Sequence, residues 1–416
     1  MPYYRSVGRI PRKRHTQFRR PDGGLYAEEL MGAEGFTADS ALLYHEHLPT
    51  AIVNSQPYAG PPETRTPNLP LKPRHLRTHE LDFPGLDPHG EAGKGSTAEV
   101  DPITGRRPLL ANSDVRLSYC AAGAPSPLYR NATGDECVYI ENGTARFESV
   151  FGGFELGQGD YLIVPASTTY RLVPTGVPPL RTYVIEATGH IGPARRYLTA
   201  RGQFTEHSPY CERDLRGPVE PLRADVEDCE DVEVLVRHRQ GWTRLTYAHH
   251  PFDVVGWDGC LYPYAVNVAD FEPLTGRVHQ PPPVHQIFEG PNFVVCNFVP
   301  RKVDYHPLAI PVPYNHANVD SDEVMFYCAG SYAARSGSGI GQGSISLHPA
   351  GFTHGPQPGS VERALGVEHV DELAVMVDTF RPLDLCDAGL ACEDAGYAWT
   401  WAGRHLSRPA AADQTG

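Results

Sequence analysis

The sequence predicts an all-β-dominated protein built from two similar halves, and three observations carry that reading. Proline and glycine number 40 and 41 of 416 residues, enough breakers to favour short strands and turns over long helices. Runs rich in β-branched and aromatic residues recur between Gly, Pro and Asn in two separate stretches. A pattern of polar residues in the second stretch has a degraded copy in the first. Taken in order, residues 1–110 are rich in Pro, Gly, Arg and His and read as an irregular N-terminal extension, with GGLYAEELMG (23–32) as its one short helix. Residues 111–195 hold DVRLSYCAAG, ECVYIENG, TARFESVFGG, FELGQGDYLIVP and TYRLVP, the strands of a first barrel. Residues 196–245 form a connector containing the acidic PLRADVEDCEDVEV. Residues 246–385 hold PFDVVGW, FVVCNFVP, EVMFYCAG, GSISLHPAG and ELAVMVDTF, the strands of a second barrel, and residues 386–416 form a tail that frays at its tip.

Composition narrows the class of function. No apolar stretch approaches the length of a membrane span, and the first twenty residues lack the apolar core of a secretory signal, so a cytoplasmic protein is expected. Nine cysteines, an odd number without a CxxC pair, fit reduced thiols. A net charge of −14 disfavours nucleic acid. The first twenty residues hold seven Arg or Lys and no acid, and the expected use of this basic arm is packing on the body or on a neighbouring subunit.

The chemistry is concentrated in 313–356. There His316-x-Asn318-x4-Glu323-x6-Gly330 is followed by Gly343-x5-Pro349-x-Gly351-x2-His354. Strand alternation puts His316 and Asn318 on one face, and two hairpin-related strands bring His316, Glu323 and His354 together in the mouth of a barrel. Two imidazoles and one carboxylate form a set suited to non-haem Fe(II), although Mn or Ni tolerates a similar shell. This paired pattern resembles the signature of the cupin superfamily, with Asn at its second His position. The first half repeats the frame without the ligands. Tyr129, Asn131 and Glu136-x6-Gly143 precede Gly159-x5-Pro165-x-Ser167-x2-Tyr170. The expectation is therefore two cupin-type jelly-roll barrels, of which the N-terminal one is degenerate and serves as scaffold.

Several segments together resemble the homogentisate 1,2-dioxygenase family, a two-barrel branch of that superfamily. They are GLYAEELMGAEGFT, PFDVVGWDGCLYPYAVN, FVPR, PYNHANVDSDE and THGP. The resemblance implies an Fe(II) enzyme that opens the ring of homogentisate with O2, giving maleylacetoacetate in tyrosine and phenylalanine breakdown. It also implies a homo-oligomer, trimer or hexamer, with neither nucleic acid nor membrane as partner. Carried over residue by residue, the ligands fall on His316, Glu323 and His354, and the groups near substrate on Tyr314, Tyr332 and Arg335. The family's base maps onto His285 or, as the fallback, His279. Asp322 competes for the carboxylate slot, six residues after His316, while the cupin frame and strand alternation select Glu323. The Pro-rich loop before His285 departs from the family text, so gentisate- or hydroquinone-type cleavage, or a metal cupin isomerase or decarboxylase, remains an alternative. His306 is a further candidate for contact with the metal ligands.

Overall fold

The computed structural model describes residues 3–67, 69–84, 100–176, 179–222, 229–239, 241–279 and 282–402. Strands dominate, as composition predicts, and the described helices are no longer than six residues. No described helix is long and apolar enough to cross a membrane. All nine cysteines are free thiols. The chain divides into two compact units, one of Met1–Pro62, Asp82–Arg107 and Val115–Asp270, the other of Glu63–Leu81, Pro108–Asp114 and Phe271–Gly416.

In the first unit, one antiparallel sheet runs Val115–Ala122, Leu180–Ala187, Glu136–Asn142, Asp160–Val164, Tyr264–Asn267. A second runs Gly152–Leu156, Ala145–Ser149, Thr169–Pro174, Leu128–Asn131, Val232–His238, Gly241–Tyr247, Ile52–Tyr58. The chain passes from one sheet to the other through Asn142-Gly143, where Gly143 sits at φ +85°, a conformation that favours glycine. Alternate residues of both sheets meet in a core of Tyr129, Val138, Ile140, Phe147, Leu162, Tyr170, Leu172 and Val184. Each fully buried aliphatic or aromatic side chain there contributes ~1.5–3 kcal/mol.

The N-terminal segment is more regular than its breakers suggest. Residues 23–32 contain a strand, Ala27–Gly32, not a helix. That strand joins a four-stranded sheet with Ser40–His45, Val254–Gly259 and Arg5–Gly8. Sheet pairing outweighs the helix propensity of its Ala, Glu, Leu and Met. The same sheet draws PFDVVGW out of the second barrel and into the first unit. It also ties down the basic arm. Arg5–Gly8 pairs with Val254–Gly259, and Arg14 Nε donates to Asp258 at 2.9 Å.

In the second unit the principal sheet runs Gln286–Gly290, Phe293–Phe298, Leu373–Thr379, Asp322–Ala329, Ser344–His348, Arg74–Arg77. Its last strand comes from the stretch whose turn signals had suggested an irregular layer. Because side chains alternate, the register sorts this sheet into two faces. One carries Leu76, Val295, Val324, Phe326, Ile345, Leu347, Val375 and Val377, all buried. The other carries Glu323, Met325, Tyr327, Ser346, His348, Asp378, Met376, Val294 and Phe298. This second face bears the functional groups. The tail is also ordered further than expected, since Tyr397–Ala402 forms a 3-10 turn with Tyr397 wholly buried. The fraying tip expected of the tail, from residue 403 on, lies outside the described residues.

Candidate metal centre

His316 and His354 meet across a short antiparallel bridge in which each backbone N–H donates to the other's carbonyl at 2.8 Å. The turn that delivers His354 needs Gly351, at φ +76°, whose N–H donates to the Asn318 carbonyl at 2.9 Å. The motif glycine and asparagine thus lock the two histidine segments together. Glu323 opens the neighbouring strand with its carboxylate directed at both rings, 3.4 Å from His316 Nε2 and 3.5 Å from His354 Nε2. One ligand atom from each of the three lies within 4.8 Å of the others.

The hydrogen bonds fix what these atoms offer. His316 Nδ1 donates to the Tyr314 carbonyl and His354 Nδ1 to the Phe352 carbonyl, both at 2.9 Å. Each Nε2 then presents a lone pair toward Glu323. His354 Nε2 is buried without a hydrogen-bond partner. Two lone pairs and a carboxylate around one point repel one another unless a cation sits between them. The donor set fits a metal ion.

Around the ligands runs a further layer that sequence reasoning missed. His348, directly opposite Glu323 in the register, donates from Nδ1 to Glu323 Oε1 at 2.9 Å, and its Nε2 accepts from Tyr397 Oη at 3.0 Å. Its ring stacks on that of His354 at 4.2 Å. Burial, with the nearby Arg335 charge, pushes the His348 pKa down to about 3, so the imidazole stays neutral. Burial alone would raise the Glu323 pKa, but the imidazoles of His316, His348 and His354 around it hold it well below the usual carboxylate range. Strand alternation could have singled out His348. Tyr397 gave no sequence signal.

The other candidates separate clearly. Asp322 points to the opposite face, where its two oxygens accept from the Ala350 and Leu383 amides at 2.9 and 2.8 Å. Arg335 is buried, donates to Tyr327 Oη at 3.0 Å and the Gly355 carbonyl at 2.7 Å, and lies over the Trp401 ring. Tyr332 packs edge-on against Tyr327 at 4.8 Å, and its hydroxyl donates to the Leu373 carbonyl. Tyr314 is 66% exposed, against the ring of His279. His279 is itself exposed and 3.5 Å from Asp304. His285 differs from it. Its ring stacks on Phe298, on the functional face, and its Nδ1 is buried without a partner. Burial, Arg301 and His279 push its pKa down to about 3, leaving a neutral imidazole. His306 accepts from the Leu308 amide within its own loop. Asp378 is paired directly with Glu323 across the sheet. Burial and the Glu323 charge raise its pKa to about 8.

The degraded copy in the first unit repeats several backbone bonds of this scheme. Ser167 N–H donates to the Asn131 carbonyl as Gly351 does to Asn318, and Asp135 accepts from the Ala166 and Ile191 amides as Asp322 does from Ala350 and Leu383. Tyr129, Asn131 and Tyr170 converge on Glu136, but a guanidinium occupies the centre. Arg106 NH1 lies 2.7 Å from Glu136 Oε1 and 3.1 Å from Glu186 Oε1.

Comparison with known proteins agrees with this architecture. Residues 5–268 match the family described as homogentisate 1,2-dioxygenase N-terminal, and residues 285–407 that described as homogentisate 1,2-dioxygenase C-terminal. The chain is 37% identical over 405 residues to "Putative dioxygenase SSO1533" of Saccharolobus solfataricus, covering 96% of this chain and 99% of that one. It is 26% identical over 385 residues to the homogentisate 1,2-dioxygenase of Bradyrhizobium diazoefficiens, covering 86% of this chain and 82% of that protein. Among solved structures, a cupin 2 conserved barrel domain protein from Leptotrichia buccalis aligns at 11% identity and a TM-score of 0.29, over 66% of this chain and 88% of that one. With a triad able to hold a metal in the second unit and both family matches spanning most of its length, the chain belongs to the homogentisate 1,2-dioxygenase family.

Proposed function

We propose that the protein is an Fe(II)-dependent ring-cleaving dioxygenase that opens homogentisate, or a closely related hydroquinone-type aromatic acid, with O2. The product from homogentisate is maleylacetoacetate, with both oxygen atoms retained, as a step in tyrosine and phenylalanine breakdown. The observation that carries this reading is the triad of His316, Glu323 and His354, whose ligand atoms converge with both imidazoles held through Nδ1, in a chain of this family. Ferrous iron, when bound to these three ligands, supplies open positions where the ring hydroxyl and O2 come together and electrons pass between them.

The remaining tasks fall to the chain's own groups. His285, neutral and with an unpartnered Nδ1, accepts the proton of the ring hydroxyl, a role open to imidazole only in its uncharged form. His279 is less suited to it, being exposed and beside Asp304. Arg335 holds a fixed positive charge near the centre and favours an anionic substrate, and Tyr332 and Tyr314 are the phenols assigned to hydrogen-bond it in this reading. Met325, Met376, Val294 and Phe298 give the face an apolar floor against which an aromatic ring packs. The reading extends to a homo-oligomer, trimer or hexamer, which sedimentation measures directly.

Oxygen uptake by anaerobically Fe(II)-reconstituted protein, offered homogentisate, gentisate and hydroquinone in turn, tests the proposal. Stoichiometric uptake with homogentisate, abolished in His316→Ala, is the expected result. Uptake with another ring alone moves the substrate. Bound iron with no uptake from any ring defeats the dioxygenase reading in favour of a metal cupin isomerase or decarboxylase.

A further inference from the structure

The carboxyl of Asp378 has no role in holding the centre together. It is paired in register with Glu323 on one side and with Val294 on the other, so all three side chains stand on the functional face. Its Oδ1 is buried and has no hydrogen-bond partner. The neighbours two residues along on that face are Met376, Met325 and Cys296, which offer no strong donor.

The first unit shows what such a carboxyl ordinarily requires. Glu136 is paired with Glu186 as Glu323 is with Asp378, at the same step of the frame. There the second acid is fully satisfied. Arg116 donates to Glu186 through Nε and NH2, each at 2.6 Å, and Arg106 and Arg237 add contacts at 3.1 and 3.4 Å. The fold has thus kept a cross-strand pair of acids in both halves but has supplied internal partners to the second acid only in the first. A buried carboxyl left without a partner on the functional face is matched by a group that arrives with the ligand.

We propose that Asp378 is a specificity-determining residue, which accepts a hydrogen bond from a hydroxyl or amino substituent of the ring substrate. This rests on the ring-cleaving reading above and narrows it: the site selects rings that carry a second donor besides the hydroxyl directed to the metal ligands. A carboxyl keeps an acceptor oxygen in either protonation state, so the selection does not depend on its charge. The substrate carboxylate, in contrast, is left to the positive end of the site around Arg335.

The test is a binding cycle that involves no turnover. Dissociation constants are measured by anaerobic calorimetry on Fe(II)-loaded wild type, Asp378→Val and Asp378→Asn, with iron content as the check on an intact centre. The ligands are homogentisate, its two single-hydroxyl analogues 2-hydroxyphenylacetate and 3-hydroxyphenylacetate, and methylhydroquinone, which keeps both hydroxyls and lacks the carboxylate. Wild type is expected to prefer homogentisate to at least one single-hydroxyl analogue by roughly ten-fold or more. In Asp378→Val that preference falls to near unity while the preference over methylhydroquinone is unchanged, and Asp378→Asn, which keeps an acceptor oxygen, retains most of it. If the valine chain does not fold, Asp378→Ala is read in the same way. Persistence of the two-hydroxyl preference in the apolar variant overturns the proposal, as does a collapse of the carboxylate preference instead. Failure of every ring to bind the iron-loaded wild type is a different result, which removes the ring-cleaving reading itself.

Discussion

Seven residues before the carboxylate, the first half of the chain has Tyr129 and the second has His316. Tyr170 and His354 stand at the last position of the same frame. The surrounding backbone scarcely differs, with matching amide bonds to Asp135 and Asp322 and matching bridges to Asn131 and Asn318. What differs is the direction of the hydrogen bonds at the centre. Phenols donate, so Tyr129 and Tyr170 turn toward Glu136, and the residual negative charge is taken by Arg106. Imidazoles held by their Nδ1–H groups direct Nε2 at the carboxylate, so His316 and His354 leave a point suited to a cation. Each half needs a positive charge beside its buried carboxylate. One half carries the charge covalently, and the other is arranged to recruit it.

The largest effect that separates the halves should come from the ligands. His354→Ala or Glu323→Ala is expected to reduce bound iron, measured by elemental analysis, from about one per chain to less than about a tenth, with ring-dependent oxygen uptake lost. Retention of full iron would place the metal elsewhere. Next comes the guanidinium. Arg106→Met strands Glu136 beside Glu186 in a buried site and is expected to cost about 3–5 kcal/mol in urea unfolding, with no recovery on adding Fe(II). A cost below about 1 kcal/mol would mean that the first centre does not depend on its internal cation.

A smaller effect is expected from the layer behind the metal ligands. Tyr397→Phe removes the hydrogen bond to His348 and should weaken metal affinity about ten-fold in chelator competition, without loss of fold. The smallest sets the two second acids against each other by pH. The Asp378 pKa is raised to about 8, above its value in the unfolded chain, so its contribution is complete in acid and is lost as pH rises toward 8. Glu186 is depressed despite burial, chiefly by Arg116, so its contribution is complete above the ordinary carboxylate range and is lost only in strong acid. Between pH 5 and 8 the metal-free chain should therefore lose a few degrees of Tm, on the order of 5 °C or less, and Asp378→Asn should flatten that slope. An equal slope in the variant would mean another group is responsible.

Much of this was legible in the sequence because the frame is local. Gly, Pro and Asn mark the turns, β-branched runs mark the strands, and the spacing of His316, Glu323 and His354 follows from strand alternation within one short stretch. The alternation also separates Glu323 from Asp322. What the sequence hides is register between distant segments. His348 becomes a partner of Glu323, and Asp378 its neighbour, only once strands from 322, 344 and 373 are laid side by side. Arg106 lies outside the repeated frame and carries no motif, yet it takes the central position. Ala27–Gly32 looked helical because its residues favour helices, and the sheet around it outweighed that preference.

The 3-10 turn at Tyr397–Ala402 has a consequence for the order in which the centre is made. All three ligands are synthesised before the hydroxyl that steadies His348 and the ring beneath Arg335. The strand Arg74–Arg77, at the other edge of the same sheet, is made before most of the first unit and must wait for its neighbour Ser344–His348. Closing the second unit therefore joins segments across a long sequence separation, the slow kind of contact in folding. A fusion or truncation near residue 400 would act on the iron while leaving every ligand in place.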